Sequence, residues 1–267
     1  MHAAETHTFI TSIFWLLLSV ITLLYYLAAR HHRSPRYLQR LSLFTAGSAL
    51  MMLAFSPPIM AWAHHDIRGH MVQHVLLGML APLAWVLASP MTLALRSLPA
   101  RYARWSSNLL RHSFFFYLTH PITATLLNIG GMYLLYATPL YQASLNNLAL
   151  HLMIHVHFIL AGYLYCWSIA GCEPSFHPFS FKMRLTVLLF GIAAHSYLAK
   201  LMYINLWPSL PFYSADDLQT AAKIMYYGGD LAEALLAIVL FNGWLENNRK
   251  RLVRFSKRYH IEDAFRI

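Results

Sequence analysis

The residues best suited to chemistry in this sequence are two pairs of histidines, each spaced four positions apart. His70 and His74 form one pair, and His151 and His155 form the other. At this spacing both side chains of a pair share one face of a helix, with their Cβ atoms about 6 Å apart. Two imidazoles so placed can chelate a metal ion. The pattern predicts a metal or cofactor site, although a lone histidine is more often an interfacial or hydrogen-bonding residue.

The elements that position these histidines must be membrane helices, because the chain is too apolar for a soluble protein. Of its 267 residues, 58% are hydrophobic and 11% are charged, against about 25% charged in a soluble domain. A membrane helix needs about 20 mostly apolar residues. The sequence predicts an all-α, polytopic membrane protein with seven transmembrane helices in a single domain, residues 1–267. The seven apolar stretches run over 8–29, 38–56, 70–95, 121–138, 147–170, 183–206 and 217–243.

The distribution of basic residues predicts the orientation of this bundle. Of the 20 Lys and Arg residues, 17 fall in alternate loops and the C-terminal tail, whereas the intervening loops carry only Arg68. The positive-inside rule then places the N-terminus outside and the C-terminus inside. We expect segment 97–120 to include an amphipathic helix on the inner surface. We expect the basic cytoplasmic tail, 245–267, to meet anionic lipid headgroups and not nucleic acid.

In this orientation both histidine pairs lie in the first turns of helices that start at the outer face. The third and fifth predicted helices both run inward, so the pairs have similar depth and can face each other if these helices are neighbours. Ionisable groups inside a membrane are costly and commonly functional. His195 on helix 6 and Asp230 on helix 7 are deeper groups, and Asp230 either supports a metal site or forms a structural hydrogen bond between the helices. The predicted metal-site residues are His70, His74, His151, His155, His195 and Asp230.

The methionines give a further indication of the ligand. Several of them, including Met60 and Met71, fall in the outer half of the predicted membrane region. Imidazole and thioether together suit copper, particularly Cu(I), although Met also fills gaps in apolar cores. The sequence has no phosphate-binding glycine loop, no Ser/His/Asp arrangement in a plausible order and no H-E-x-x-H motif. We therefore do not expect an enzyme.

Two segments of the sequence resemble one protein family. The stretch H-M-V-Q-H from His70, with an apolar run to Pro82, resembles the CtaG family of assembly factors for caa-type cytochrome c oxidase. The block around His151 and the segment ending in Asp230 also fit, so the resemblance covers roughly residues 40–245. It implies a protein of the bacterial plasma (inner) membrane that helps to build a haem–copper oxidase. The step most often linked to the family is provision of copper to oxidase subunits.

Three functions remain open at this point. The first is a metallochaperone that holds copper, most simply Cu(I), at the outer face. The second is a bis-histidine haem-binding electron carrier with one axial histidine from each helix. The third is a metal-free assembly scaffold in which the histidines are buried hydrogen-bonding groups. The first explains the histidine doublets best, because haem needs only one histidine from each helix.

Overall fold

All regular secondary structure is helical in the part of the chain that the computed structural model describes, which is residues 2–32, 35–173, 178–208 and 210–264, with side chains described within 11–253. No strand is present in these ranges. Arg33 and the last three residues of the predicted tail lie outside them. The helices are α1 (His2–His31), α2 (Tyr37–Ala54), α3 (Pro57–His65), α4 (Ile67–Val75), α5 (Ala81–Ala88), α6 (Pro90–Ser97), α7 (Ala100–Leu110), α8 (Ser113–Leu118), α9 (Pro121–Thr125), α10 (Gly131–Tyr136), α11 (Leu140–Leu145), α12 (Leu148–Ala170), α13 (Phe181–Asn205) and α14 (Ala215–Ala264).

Two π turns interrupt what would otherwise be longer helices. Leu76–Leu80 joins α4 to α5, and Leu126–Gly130 joins α9 to α10. The predicted third span, 70–95, is therefore a helix that contains one widened turn and ends at Ala88. Helix α6 follows it as a separate helix. The predicted fourth span, 121–138, is helical over α9, the second π turn and α10.

Five helical segments in the described ranges are long and apolar enough to cross a membrane. A sixth arises if α2 and α3, which meet at a bend of 52°, count as one span. The all-helical, multi-pass membrane architecture is confirmed, whereas the seventh span and the orientation remain predictions. The five segments are Thr11–His31, Ile67–Ala88, Leu148–Ala170, Phe181–Asn205 and Ala215–Val253.

The outer surface of the bundle is strongly apolar. On α1, Leu16 is 68% exposed. On α13, Phe190 and Ile204 are 73% and 74% exposed. Large exposed apolar surfaces in a monomer mark interaction with other proteins or with membranes. Combined with the lengths of the helices, this surface fits contact with lipid.

The interior is built from α4, α5 and α12 to α14, which pack closely because glycines lie at the crossings. Gly162 of α12 lies against the backbone carbonyl of Gly78 in the first π turn, and a Cβ there would overlap it. Gly228 of α14 lies against Val75 of α4. Small residues allow membrane helices to approach one another closely. These contacts bring the two histidine-bearing helices and α14 to one place.

The basic segments differ in detail from their predicted form. Segment 97–120 contains two helices, α7 and α8, and α7 has the expected amphipathic character. The segment predicted as a basic tail is not separate, because α14 continues as one helix of 50 residues to Ala264.

Candidate functional site

Helix α4 carries the first histidine pair and begins at a capping aspartate. The Asp66 carboxylate accepts a hydrogen bond from the backbone N–H of Arg68 at 2.8 Å and from its guanidinium Nη2 at 2.6 Å. The hydrogen bonds from Arg68 lower the pKa of Asp66 below its usual value of 3.8. This cap fixes the first turn of α4. His70 and His74 follow it and are both buried.

Helix α12 carries the second pair and is capped in a similar way. The side-chain oxygen of Asn147 accepts a hydrogen bond from the backbone N–H of Leu150 at 3.1 Å. The ring centroids of His151 and His155 lie 4.4 Å apart, and both residues are buried. His64, near the end of α3, stacks on His151 with 5.1 Å between ring centroids. Three imidazoles from two helices therefore lie in one row.

The two pairs are connected through a side chain of α4. His155 Nε2 lies 3.1 Å from Oε1 of Gln73, which follows His70 on α4. His155 Nδ1 lies 2.9 Å from the backbone oxygen of His151. The structure thus brings together the imidazoles that the sequence placed at similar depth. We call this group the histidine cluster, and its members are His64, His70, His74, His151 and His155.

The hydrogen bonds around His155 leave a position for a cation. Its Nδ1 faces a carbonyl oxygen and is the donor in the neutral ring, so Nε2 carries a lone pair. That lone pair faces a second acceptor, because the Gln73 amide nitrogen donates to the Ala54 carbonyl at 2.9 Å and to Met60 Sδ at 3.2 Å. A proton or a metal ion at Nε2 relieves this contact between two acceptors.

A cavity of about 90 Å³ lies beside this ring. Met60, His151 and His155 all line it, so one thioether and two imidazoles border the same space. The rest of its wall is mostly apolar, and comprises Thr11, Phe14, Phe55, Leu148, Leu152, Val156 and Ile159. The cavity has room for an ion and a few small ligands.

The two histidines of α4 differ in their partners. His70 Nε2 lies 3.1 Å from the Tyr136 hydroxyl, and its ring meets Tyr141 edge-on at 4.9 Å between centroids. His74 packs edge-on against Phe158 at 5.0 Å, and its Nε2 is buried with no hydrogen-bond partner among the described residues. His74 therefore has a nitrogen available for a further ligand.

The two deeper residues of the predicted metal set lie outside the histidine cluster. His195 is fully buried on α13, with Nδ1 3.7 Å from Oε2 of Glu233 on α14. Asp230 accepts a hydrogen bond from the Ser196 hydroxyl at 3.3 Å, which is the structural contact between the last two helices. Within the described ranges, no three His, Cys, Asp or Glu side chains already surround one metal position.

Sequence reasoning missed two members of the site. Gln73 lies within the H-M-V-Q-H segment, three positions after His70, so its place on the same helical face was a usable signal. Tyr136 gave no signal, because its hydroxyl meets His70 across 66 positions of the chain. Such a contact depends on the packing of α10 against α4 and not on local spacing.

The fold and the cluster define a multi-pass helical membrane protein with a buried, histidine-rich site. The family described as cytochrome c oxidase caa3 assembly factor (Caa3_CtaG) matches residues 23–247. The chain therefore belongs to the family of cytochrome c oxidase caa3 assembly factors. The match confirms the resemblance seen around His70 and His151.

Similar proteins also occur in mycobacteria. Uncharacterised proteins of Mycobacterium bovis and Mycobacterium tuberculosis are each 27% identical over 229 residues, covering 79% of this chain and 35% of their own. One of Mycobacterium leprae is 27% identical over 244 residues, covering 85% of this chain and 37% of its own. The chain thus spans little more than a third of the length of these relatives. No solved structure matches it.

Proposed function

We propose that this protein binds copper as cargo at the histidine cluster and supports its delivery to subunits of a haem–copper oxidase in the bacterial plasma membrane. Membership of the oxidase-assembly family supports the destination. The observation that carries the copper assignment is the cavity bordered by Met60, His151 and His155. A thioether beside imidazoles is a ligand set suited to Cu(I).

The hydrogen bonding of this cavity supports the same assignment. His155 Nδ1 is held by the His151 carbonyl, which orients the ring and leaves the lone pair of Nε2 for a metal. Gln73 holds the Met60 sulfur at the same place through its amide nitrogen. The protein thus positions imidazole and thioether ligands with neighbouring polar groups, and no covalent catalysis is needed.

Release also follows from this arrangement. Because three or fewer ligands border the cavity, a bound ion keeps positions at which an acceptor protein can add its own ligand. Cargo then passes by exchange of one ligand at a time. A permanent four-ligand site would hold the ion too firmly for delivery.

The cavity at His155 favours a metal ion over a haem, and neither His70 nor His74 borders it. The cavity that His151 and His155 share measures about 90 Å³, whereas pockets for small organic ligands span about 300–1,000 Å³. We therefore do not favour the electron-carrier function. A purified protein with an intense Soret band would contradict this conclusion.

The opposite end of the bundle supports the proposed contact with anionic lipid. Arg184 and Arg251 line a cavity of about 470 Å³ together with Trp167 and Trp244. Basic pockets between membrane helices on the cytoplasmic side commonly bind lipid headgroups, and tryptophans favour the interface. This arrangement agrees with the proposed placement of the basic end at the cytoplasmic face.

Copper binding by purified variants tests the proposal. Anaerobic titration with Cu(I) against a chromophoric chelator should show that His155→Gln loses the copper equivalent held in the cavity. Met60→Leu, which removes only the thioether, should weaken that equivalent at least tenfold. His65→Gln is the matched control, because His65 is an exposed histidine at the end of α3.

Oxidase maturation in cells provides the second measurement. Cells that carry His155→Gln should assemble less copper-loaded oxidase than cells with His65→Gln. Unchanged copper binding in His155→Gln would overturn the proposal. Full oxidase maturation in a variant that lacks His70, His74, His151 and His155 would favour a metal-free scaffold instead.

A further inference from the structure

Four polar side chains meet in the interior of the bundle, apart from the histidine cluster. Asn128, Tyr165, His195 and Glu233 are 2%, 3%, 0% and 2% exposed. Asn128, Tyr165 and Glu233 line one small cavity, and His195 approaches Glu233 to 3.7 Å. Asn128 Oδ1, the Tyr165 hydroxyl, both nitrogens of His195 and both carboxylate oxygens of Glu233 have no hydrogen-bond partner among the described residues.

Unpartnered polar atoms at this depth favour the binding of a small polar or charged species. A buried polar group without a hydrogen bond is costly, and an unpaired carboxylate is costlier still. In a membrane, water cannot compensate freely. A cation satisfies the carboxylate of Glu233 and a lone pair of His195 at the same time.

The backbone around this group is shaped in an unusual way. The first π turn contributes Gly78 and Met79 to the wall of the cavity, and the second contributes Asn128. Single π turns inside α-helices are frequent at functional sites. Gly229 adjoins the ring of His195, and a Cβ at that position would overlap it. Two widened turns and one glycine therefore make room for the same side chains.

We propose that Met79, His195 and Glu233 form a second position for a cuprous ion, which we call the deep site. The inference rests on the proposed function, because it concerns the same cargo. Thioether and imidazole suit Cu(I), and the single negative charge of Glu233 balances the single positive charge of that ion. A divalent ion would leave a net charge in the bundle interior. The cavity measures about 10 Å³ and is also lined by Cys166, and this volume is at the lower limit for one small species such as a water or an ion.

His74 connects the deep site to the histidine cluster. Its Nε2 lacks a hydrogen-bond partner among the described residues, and its ring lies within electrostatic range of both His155 and His195. The proposed route for copper runs from the cavity at His155 past His74 towards Glu233, by successive exchange of ligands. The oxidation state is Cu(I) throughout, so the transfer needs no electron donor or acceptor.

Counting copper equivalents tests the deep site. The purified, metal-free protein in detergent should bind two Cu(I) ions in an anaerobic competition titration. Glu233→Gln, which preserves side-chain shape, should bind one. Asp230→Asn is the matched control, since it makes the same change of charge one turn away on α14, where the carboxylate contacts Ser196. This control should still bind two.

A second variant keeps the test independent of any folding defect in Glu233→Gln. Met79→Leu exchanges one buried apolar side chain for another of similar size, and should weaken the second equivalent at least tenfold. In the His155→Gln background, X-ray absorption at the copper edge should show one sulfur neighbour at the remaining ion. That sulfur signal should disappear when Met79→Leu is added.

The outcomes separate this inference from the proposed function. Two tightly bound equivalents in both Glu233→Gln and Met79→Leu would overturn the deep site and assign a proton or water to its polar atoms. Loss of an equivalent in His155→Gln alone leaves the proposed function standing without the deep site. Loss in Glu233→Gln alone refutes the histidine cluster as a copper position and retains the deep site.

Discussion

The histidine cluster and the deep site differ in how many of their polar atoms are hydrogen-bonded within the protein. In the cluster, His70 meets the Tyr136 hydroxyl and His155 meets two oxygen acceptors. At the deep site, neither His195 nor Glu233 has a hydrogen-bond partner among the described residues. Hydrogen bonds of the protein thus orient His70 and His155, whereas His74 Nε2 and the polar atoms of the deep group have none among the described residues.

The two regions also differ in charge. The carboxylate nearest the cluster along α4, Asp66, is paired with Arg68, which also contacts Asp217 at 3.2 Å. At the deep site, the carboxylate of Glu233 lies 3.7 Å from the His195 ring. In the proposed transfer, a cation at the cluster would be attracted towards Glu233, because opposite charges interact more strongly where the dielectric constant is low.

The largest expected effect comes from the contact that holds the two regions together. Gly162→Ala places a Cβ against the Gly78 carbonyl, and a backbone atom cannot move aside as a side chain can. We expect the free energy of unfolding to fall by about 3 kcal/mol, measured as a shift of the unfolding midpoint in detergent. Copper binding at both positions should fall with it.

Gly243→Ala is the control for this substitution. A Cβ at position 243 meets no atom within 4 Å, and alanine favours the helix by up to about 1 kcal/mol. This variant should be as stable as the original protein or more stable. Equal stability of Gly162→Ala and Gly243→Ala would show that the close approach of α12 to the π turn is unimportant.

Replacing the two histidines of α4 with phenylalanine tests whether an imidazole with a hydrogen-bond partner and one without affect stability in opposite directions. In the copper-free protein, His70→Phe should lower the free energy of unfolding by about 1–3 kcal/mol, because it leaves the Tyr136 hydroxyl without a partner. His74→Phe should raise it by about 1 kcal/mol, since it removes a buried nitrogen that has no hydrogen bond. Chemical denaturation of both variants in parallel measures the direction of each change in the free energy of unfolding. Destabilisation of equal size in both would contradict the distinction.

The smallest expected effect concerns the cap that positions the cluster. Asp66→Ala should cost about 1 kcal/mol through loss of the α4 cap, whereas Asp66→Asn retains a capping oxygen and should cost less. Because the pKa of Asp66 in the folded protein is below its usual 3.8, its ionised form stabilises the fold above that pH. This contribution fades as the pH falls through 3.8 and then through the lower folded value. The difference in unfolding midpoint between Asp66→Asn and the original protein should therefore be smaller at pH 3 than at pH 7.

The sequence was sufficient for the features that depend on local spacing. The i, i+4 histidine pairs and the apolar helices follow from helical periodicity. The structure buries all four histidines, and their role as metal ligands stays a prediction. The interruption of the helices did not follow, because a π turn has no local spacing signal and its surroundings are tertiary, as in the contact of Gly78 with Gly162 of α12. The seventh span and the orientation remain predictions that rest on hydropathy and basic loops.

The deep group shows a different limit of sequence reasoning. His195 and Asp230 were predicted as metal-site residues, yet Glu233, one turn beyond Asp230, is the carboxylate that reaches His195. Both acidic residues lie on one side of α14, and the packing of α13 determines which of them contacts His195. Met79 had no distinguishing feature among the methionines, because its place beside Glu233 depends on the π turn that precedes Ala81.

The length of α14 determines how far its basic C-terminal part extends beyond the bilayer. A helix of 50 residues rises about 75 Å at 1.5 Å per residue, whereas the hydrocarbon core of a bilayer is about 30 Å thick. If this helix crosses the membrane once, its C-terminal turns stand clear of the lipid as a charged stalk. Lipid headgroups then meet only the first basic residues, and those farther along are presented to the aqueous compartment.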